Sequence, residues 1–503
     1  MIDILFIAPQ SKKEIFQNLE TLASKEEPTW LLLLAQYCRQ KGLSVGVIDG
    51  QFYSYEEISK KTEELAPTLI HIVVMGAQPS SSSQCIPAAQ KTSEAVKNLN
   101  PTRKIMWSGT TPAAIPEKIL QEFSNCVDYV CDREGFKTSF LLISYLKDSI
   151  NIDDIPDLWY KSRTTESVLN IRFTKRGNLL DAGQLDEIGT PAWDLVEINS
   201  KLDHYKCHNW HSFGQENSSP YASLYSSFGC AFKCSFCCIN SPFGDMLSGS
   251  RPYRLISPRV TFNQIKHLYE KYGITNIKFV DEMFVLNKKH VLELCDLLIQ
   301  SGLGEKINIW AYGRVDTCKN EFLEPLRKAG FNWLCLGIES GSEHVRDGAD
   351  KVYSDDDIRN VVKRIQSHGV NIIANYIFGL PDDDLASMQR TYDLAYELNC
   401  EFANFYSAMY YVGSPLYYDA IKNNKQLPPL WNGYSQHSYE CFPSSNEYCS
   451  NKEILSFRDN AHMNYFSRIE YQEMILKKFG QKALDEVKLM LSLGKPRRKI
   501  LEI

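Results

Sequence analysis

No apolar run in the 503-residue chain approaches the roughly 18 residues that a membrane span needs. The opening "MIDILFIAPQ" carries Asp3 and only a short apolar run. It lacks the basic region and the length of a signal peptide, and it reads as a strand. Positive charge is not in excess either: 55 Lys and Arg against 61 Asp and Glu leave a net charge of -6. That balance argues against a broad phosphate-binding surface of the kind nucleic acid requires. The one basic cluster, "GKPRRK" at 494–499, has no interleaved aromatics for base stacking and reads as a solvated tail. The first strand is followed by "APQSKKE" and not by Gly-x-Gly-x-x-Gly, which disfavours a nicotinamide or flavin dinucleotide. Cysteine, by contrast, is not scarce. The fifteen cysteines are odd in number and cannot all pair, and many, such as Cys38, Cys295 and Cys335, sit in apolar runs as expected of buried thiols. These features together predict a protein of a reducing cytoplasm.

The hydrophobic content of 44% is ample for large cores, and the length suggests roughly three domains. Short β-rich runs, "IDILFIA", "SVGVID", "TLIHIVVM", "KIMWSG" and "VDYVC", alternate with helical stretches up to residue 147. Such alternation predicts an α/β doubly wound parallel sheet, whose ligand lies beyond the carboxyl ends of the strands. The loops there are polar and small. "MGAQPSSSSQC" offers Ser80 and Ser81, and "WSGTTPAA" offers Ser108, Gly109 and Thr110, although ordinary loop and cap chemistry would also use these residues. Residues 148–219 break the pattern with a polar, charged stretch that holds a hairpin-like segment, and they read as a connector. Cys207, His208 and His211 within it lack the spacing of a closed zinc site and read as linker residues.

A second alternating series starts at Tyr221, with strand candidates "ASLYSSFG", "NIKFVDE", "INIWAYGR", "NWLCLGIES", "NIIANYIFGL" and "FANFYSAMY". Six such units are too many for a small open sheet and too few for an eight-fold barrel, so they predict a partial (β/α)6 barrel with its reactive face at the strand ends. At the end of the first strand stands "SSFGCAFKCSFCCINSPFG", in which Cys230, Cys234 and Cys237 are spaced C-x3-C-x2-C. Thiolates are soft ligands for zinc or iron-sulfur clusters, and a closed zinc site needs four ligands. Cys238 directly follows Cys237, so using both on one centre would strain the loop. Three thiolates on a four-iron cluster leave one iron open to a further ligand.

This loop, with Phe236 just before the third cysteine, resembles the radical S-adenosylmethionine superfamily, whose members bind the amino and carboxylate groups of that cofactor at the open iron. "GIESG", with Glu339 and Ser340, looks like the segment near the ribose and methionyl parts, and "NYIFGLPDD", with Gly379, is similar to the glycine motif beside the adenine. Arg314 and the pair Asp281 and Glu282, the latter two taken as catalytic, match polar positions at strand ends facing the site. The amino-terminal sheet then resembles the cobalamin-binding domain that precedes many of these enzymes. Two departures stand out: the Asp-x-His-x-x-Gly sequence that supplies an axial histidine to cobalt is absent, and the usual glycine pairs appear as Ser108-Gly109 and Arg133-Glu134. Cobalamin bound without a protein axial ligand is therefore the expectation.

The resemblance implies a division into a cobalamin-binding domain (1–147), a connector (148–219), a radical core (220–440) and a helical cap (441–503). The implied cofactors are a 4Fe-4S cluster, S-adenosylmethionine and cobalamin. The implied chemistry is hydrogen abstraction by a 5'-deoxyadenosyl radical and methyl transfer from methylcobalamin to an unactivated carbon of a small molecule, with a flavodoxin or ferredoxin as electron donor. A radical cyclisation, ring contraction or oxidation would use the same two modules, and a non-catalytic cobalamin or iron-sulfur sensing module is the alternative of another class. A methylthiolase acting on transfer RNA is disfavoured, since no basic β-barrel is appended. Beyond residue 411 the chain turns aromatic, with Trp431, Tyr434, His437 and Tyr439 as candidates either for a substrate pocket or for cap packing, and then helical with spacing that suits two amphipathic helices. A sugar-like or natural-product substrate is expected.

Overall fold

The computed structural model describes all residues except 10–11, 77, 164–168, 197–204, 216–217, 219, 245–251 and 503. The five expected amino-terminal strands, β1 (Ile4–Ala8), β2 (Val45–Asp49), β3 (Leu69–Val73), β4 (Ile105–Ser108) and β5 (Tyr129–Cys131), lie parallel in the order β2-β1-β3-β4-β5. Residues of β1, β3, β4 and β5 are buried along the whole strand, as helices on both faces require. The order places the topological switch point between β1 and β3, so a ligand crevice opens above their carboxyl ends. The stretch read as a connector adds two antiparallel strands to this sheet, β6 (Leu158–Arg163) and β7 (Leu169–Phe173), with Val130 opposite Trp159 and Lys161 opposite Ile171. The residues joining them lie outside the described ones. Arg172 puts charge on the edge strand β7, which discourages further strand pairing.

All six strands expected in the second half are present: β8 (Tyr221–Leu224), β11 (Asn276–Phe279), β12 (Asn308–Arg314), β13 (Phe331–Glu339), β14 (Asn371–Phe378) and β15 (Phe402–Ser407). They pair in parallel in chain order and leave β8 and β15 as the two edges of an open barrel. A small antiparallel pair, β9 (Ser227–Phe228) and β10 (Arg254–Leu255), sits at its head. Helices at 258–272, 288–300, 355–367 and 385–398 return the chain between strands. Each begins at a side-chain cap: Ser257, Asn287, Ser354 and Asp384 accept from the backbone N–H three residues on, satisfying a donor that the helix itself cannot.

The carboxy-terminal region holds three long helices, Asn451–Ser467, Ile469–Phe479 and Gln481–Ser492, where apolar spacing suggested two. The breaks fall at Arg468, whose backbone is extended, and at Gly480, which adopts a positive φ. The first of these helices covers the edge strand β15: Tyr465 Oη donates to Cys400 O at 2.8 Å and Arg458 Nε to Phe405 O at 2.7 Å. Between the two sheets lies the helix Thr29–Gln40, apolar around most of its circumference because both sides are covered. Its Trp30 meets Phe136 of the first domain and Tyr225, Phe228 and Phe243 beside the cysteine loop, with ring centroids 5.2 to 5.9 Å apart.

Candidate active site

The cysteine loop leaves the head of the barrel and is held from inside. Asn240 Oδ1 accepts from Cys230 N–H and Asn240 Nδ2 donates to Cys230 O, both at 2.9 Å, closing the loop on itself. Cys234 and Cys237 are partly exposed, Cys230 and Cys238 buried. Burial pushes the Cys230 thiol up to about 11, with Glu282 and Cys234 adding to it, and pushes that of Cys237 well up, with neighbouring Cys238, Cys234 and Cys230 adding to the rise. These thiols therefore need a metal to hold them as thiolates. Among the described residues no three His, Cys, Asp or Glu side chains converge on a single ion position. A four-iron cluster makes no such demand, because its three cysteine-bound irons are separate atoms, and a loop with three thiols and an open side fits it. The Arg314 guanidinium, at the end of β12, lies 3.7 Å from the Phe232 ring and points Nη1 at Cys234 Sγ, 3.6 Å away. Asp316 holds it there through two bonds of 2.9 and 3.0 Å.

The other strand-end residues divide. Glu282 is 8% exposed, and neither carboxyl oxygen has a hydrogen-bond partner among the described residues. Burial, together with nearby Asp281, pushes its carboxyl up to about 8. A buried carboxyl without a partner beside the cluster loop is unfavourable unless a ligand completes it. Asp281, expected to be catalytic, accepts from Ser226 N–H (2.7 Å), Ser226 Oγ (2.6 Å) and Ser227 Oγ (2.7 Å), bonds that fix the chain entering the cysteine loop. Glu339 ends β13 with φ +67° and pairs with buried Lys351 at 2.5 Å. Ser340 faces away from the site, its hydroxyl 3.1 Å from that of Thr391 and accepting from Ser342 N–H. Gly379 is needed for packing, because a Cβ there would stand 2.6 Å from Ile454 of the covering helix. Phe236 packs with Val345, Ile377, Leu380 and Ala408, an apolar patch beside the third cysteine.

The loops of the first sheet are more self-contained. Ser108 turns inward, its Oγ 2.6 Å from His71 Nε2, while Ser139 Oγ lies 3.0 Å from Nδ1. This ring is fully buried and burial pushes its pKa down to about 3, so the one histidine of the first 147 residues serves the core. Ser82 Oγ donates to Val74 O and accepts from Thr111 N–H, and Ser83 and Thr111 hydroxyls meet at 2.8 Å. Gly109, at φ +117°, passes so close to Val74 that a Cβ would lie 2.1 Å from its carbonyl oxygen. Thr110 Oγ1 is buried without a partner. Glu134 ties this domain to the cysteine loop through Arg254, at 2.5 Å, and Arg254 lies over Phe228 and Phe243.

Between the domains opens a cavity of about 380 Å³. Gly76, Gln78, Ser80 and Ser81 line it from the first sheet, and Trp310, Tyr312, Cys335, Asn375 and Tyr406 from the barrel lumen. Gln78 Nε2 donates directly to Tyr312 Oη across it. Of the four aromatic candidates, Tyr434 and His437 line the cavity, His437 stacked on Phe16 at 4.8 Å. Trp431 bonds Glu122 of the first domain (2.7 Å) and Tyr439 bonds Glu502 (2.8 Å), so these two serve packing. Of the linker histidines, His211 is held in the core, its Nε2 3.0 Å from Asn308 O, whereas His208 lines the cavity 3.6 Å from Glu26, which pairs with buried Lys278 at 2.7 Å. Sequence reasoning missed Arg458, Asp459 and Arg498. Arg498, in the tail read as solvated, is 2% exposed and binds Asp459 at 3.0 Å in the cavity wall.

A doubly wound sheet of the cobalamin-binding kind, docked on a half barrel that begins with a three-cysteine loop, defines a class of radical enzymes using two cofactors besides the cluster. Residues 224–395 match the radical SAM superfamily and residues 18–139 the B12 binding domain, so the chain joins a radical SAM domain to a cobalamin-binding domain, with a 4Fe-4S cluster, S-adenosylmethionine and cobalamin as cofactors. An uncharacterized methyltransferase of Pyrococcus horikoshii is 24% identical over 86% of each chain. An anaerobic magnesium-protoporphyrin IX monomethyl ester cyclase of Rubrivivax gelatinosus is 22% identical over 77% of this chain and 65% of its own. In fold, the cobalamin-dependent S-adenosylmethionine radical enzyme OxsB superposes with a TM-score of 0.69 at 15% identity, over 98% of this chain and 71% of its own. The radical S-adenosylmethionine methyltransferase TsrM of Kitasatospora setae gives 0.64 at 15%, over 84% and 78%. No helix among the described residues is long and apolar enough to cross a membrane.

Proposed function

We propose that the protein is a methyltransferase acting on an unactivated carbon of a small molecule held in the interdomain cavity, with a flavodoxin or ferredoxin as electron donor. The observation that carries this reading is that one cavity is lined both by the β3 loop of the cobalamin-binding domain and by side chains of the barrel lumen. A substrate there faces both modules. When bound, the cluster with S-adenosylmethionine supplies a hydrogen-abstracting radical, and cobalamin supplies the methyl group. Cys230, Cys234 and Cys237 would hold the cluster, with Arg314 keeping a positive charge against its sulfur side. Glu282, with two unpartnered oxygens, would receive the ammonium of S-adenosylmethionine, and the apolar patch around Phe236 would cover its adenine. Ser80 and Ser81 reach the cavity and would meet the corrin side. The surrounding walls exclude water from a reactive centre.

Reconstituted anaerobically and supplied with substrate and a methyl-deuterated donor, the enzyme should release S-adenosylhomocysteine and 5'-deoxyadenosine in about equal amounts and label the product. The cyclase relative favours a second reading, a radical cyclisation or oxidation on the same scaffold. 5'-Deoxyadenosine formed alone, with a product that is rearranged but carries no new methyl, would establish that second reading and sink the first.

A further inference from the structure

The wall of the cavity contributed by the carboxy-terminal helices carries a charge that nothing beside it balances. Arg458 and Arg498 are 7% and 2% exposed and share one carboxylate, Asp459, itself 4% exposed. Arg498 is fully engaged: Nε and Nη2 reach the two Asp459 oxygens at 3.0 and 3.2 Å, and Nη1 donates to Ser438 O at 3.0 Å. Arg458 donates Nε to Phe405 O at 2.7 Å and Nη1 to Asp459 at 2.6 Å. Its Nη2 has no acceptor among the described residues, and Arg458 lines the cavity.

The groups around this wall do not supply the missing negative charge. His437 is held neutral by burial and by both guanidiniums, and His462 by burial and by Arg458, with Asp459 partly opposing in each. Tyr406 and Tyr411 are neutral phenols, since burial pushes both up. Of the other charged lining residues, Lys12 and Lys495 add positive charge, and Glu26 is paired with Lys278. Two buried cations on one anion leave a net positive charge in a low-dielectric wall, which is unfavourable unless a ligand anion completes it. Guanidinium is also the group best shaped to take a carboxylate or phosphate.

We infer that Arg458, oriented by Asp459 and Arg498, is the subsite for an anionic group, a carboxylate or a phosphate, on the small-molecule substrate. The inference rests on the reading of this cavity as the substrate chamber. It places the anion at the wall formed by β15 and its covering helix, with Tyr406 beside it on the barrel side.

The test uses the full chain loaded with cluster and cobalamin. Its thermal midpoint is titrated with inorganic phosphate and, separately, with succinate, at ionic strength held constant with chloride. A saturable rise is expected, and whichever anion gives the lower apparent Kd identifies the group. Arg458→Gln should weaken that Kd about 10-fold, and Asp459→Asn, which makes the wall more positive, should tighten it about 3-fold. If Arg458→Gln does not fold, Arg458→Lys and Asp459→Asn carry the test. A response no greater than that to chloride, or one equal in all variants, overturns the inference. So does loss of cobalamin from Arg458→Gln, which would assign the anion to the phosphodiester of the cofactor's own tail. Anion binding is read without turnover, so a failed methylation leaves this result standing.

Discussion

The two parallel sheets end in loops of opposite character. Above the first sheet, most loop hydroxyls satisfy one another, the backbone or a core ring: Ser82 bonds Val74 and Thr111, Ser83 meets Thr111, and Ser108 meets His71, with Thr110 Oγ1 an exception. At the barrel's strand ends, polar groups are left incomplete or strained: Glu282 has two orphaned oxygens, Glu339 sits at positive φ, and the Arg314 guanidinium is directed at a sulfur. A closed loop network holds a large ligand by shape, whereas incomplete groups await a charged one. The domain that stores a cofactor and the domain that does chemistry thus differ less in topology than in how far their loops satisfy themselves.

The largest effect expected from breaking this contrast lies in the cysteine loop. Cys230→Ala, Cys234→Ala or Cys237→Ala should each abolish the cluster, read as iron and sulfide content after anaerobic reconstitution, with turnover reduced at least ~100-fold. Cys238→Ala should retain the cluster, since a ligand directly after Cys237 would strain the loop, whose turn Ser241 Oγ fixes by donating to Cys238 O. Equal loss of iron in Cys238→Ala would show that four thiols, not three, hold it.

On the other sheet the sensitive position is backbone. Gly109→Ala would force a Cβ against Val74 O at a positive φ, in a network with no slack, and should cost about 3 kcal/mol. Denaturant unfolding of the apo chain measures this, with cobalamin retention as a second readout. A change below ~0.5 kcal/mol would mean that the loop relaxes and that its hydroxyl network does not fix its shape.

Much of this contrast could be seen in the sequence. Short, nearly continuous apolar runs such as "LIHIVV" and "NIIANYIF" marked strands in place, because strands buried on both faces need continuous apolar character. The cysteine spacing located the metal loop for the same local reason. What stayed hidden depends on partners far along the chain. Asp281 is bound by serines more than 50 positions earlier, Arg498 by an aspartate 39 positions away, and Gln78 meets a tyrosine 234 positions on. No local pattern marks such pairs. A charged tail such as "GKPRRK" looks solvated until the carboxylate that buries one of its arginines is known.

The smallest effect concerns the seam where the two sheets meet, at Glu26 and Glu27. Glu26 is paired with Lys278, but Glu27, 3% exposed, accepts from Ser223 N–H through Oε1 and leaves Oε2 without a partner. Burial raises its carboxyl from the usual 4.5 to about 8, with the Ser223 amide partly opposing and Glu26 adding to the rise. The sign follows from proton counting: the folded chain keeps this proton where the unfolded chain has lost it. Glu27 therefore contributes its full stability below about pH 4.5 and loses it as pH rises through about 8. Glu27→Gln keeps an acceptor for Ser223 and removes the titration, at the cost of an unpartnered amide N–H of about 1–3 kcal/mol. Relative to the variant, the parent chain should lose stability between pH 5 and pH 8, so that the variant is more stable by about 1 kcal/mol at the upper end. Parallel stability curves for the two proteins across that range would show that Glu27 is ionised in the fold, with its second oxygen solvated, and that the seam is wetter than its packing implies.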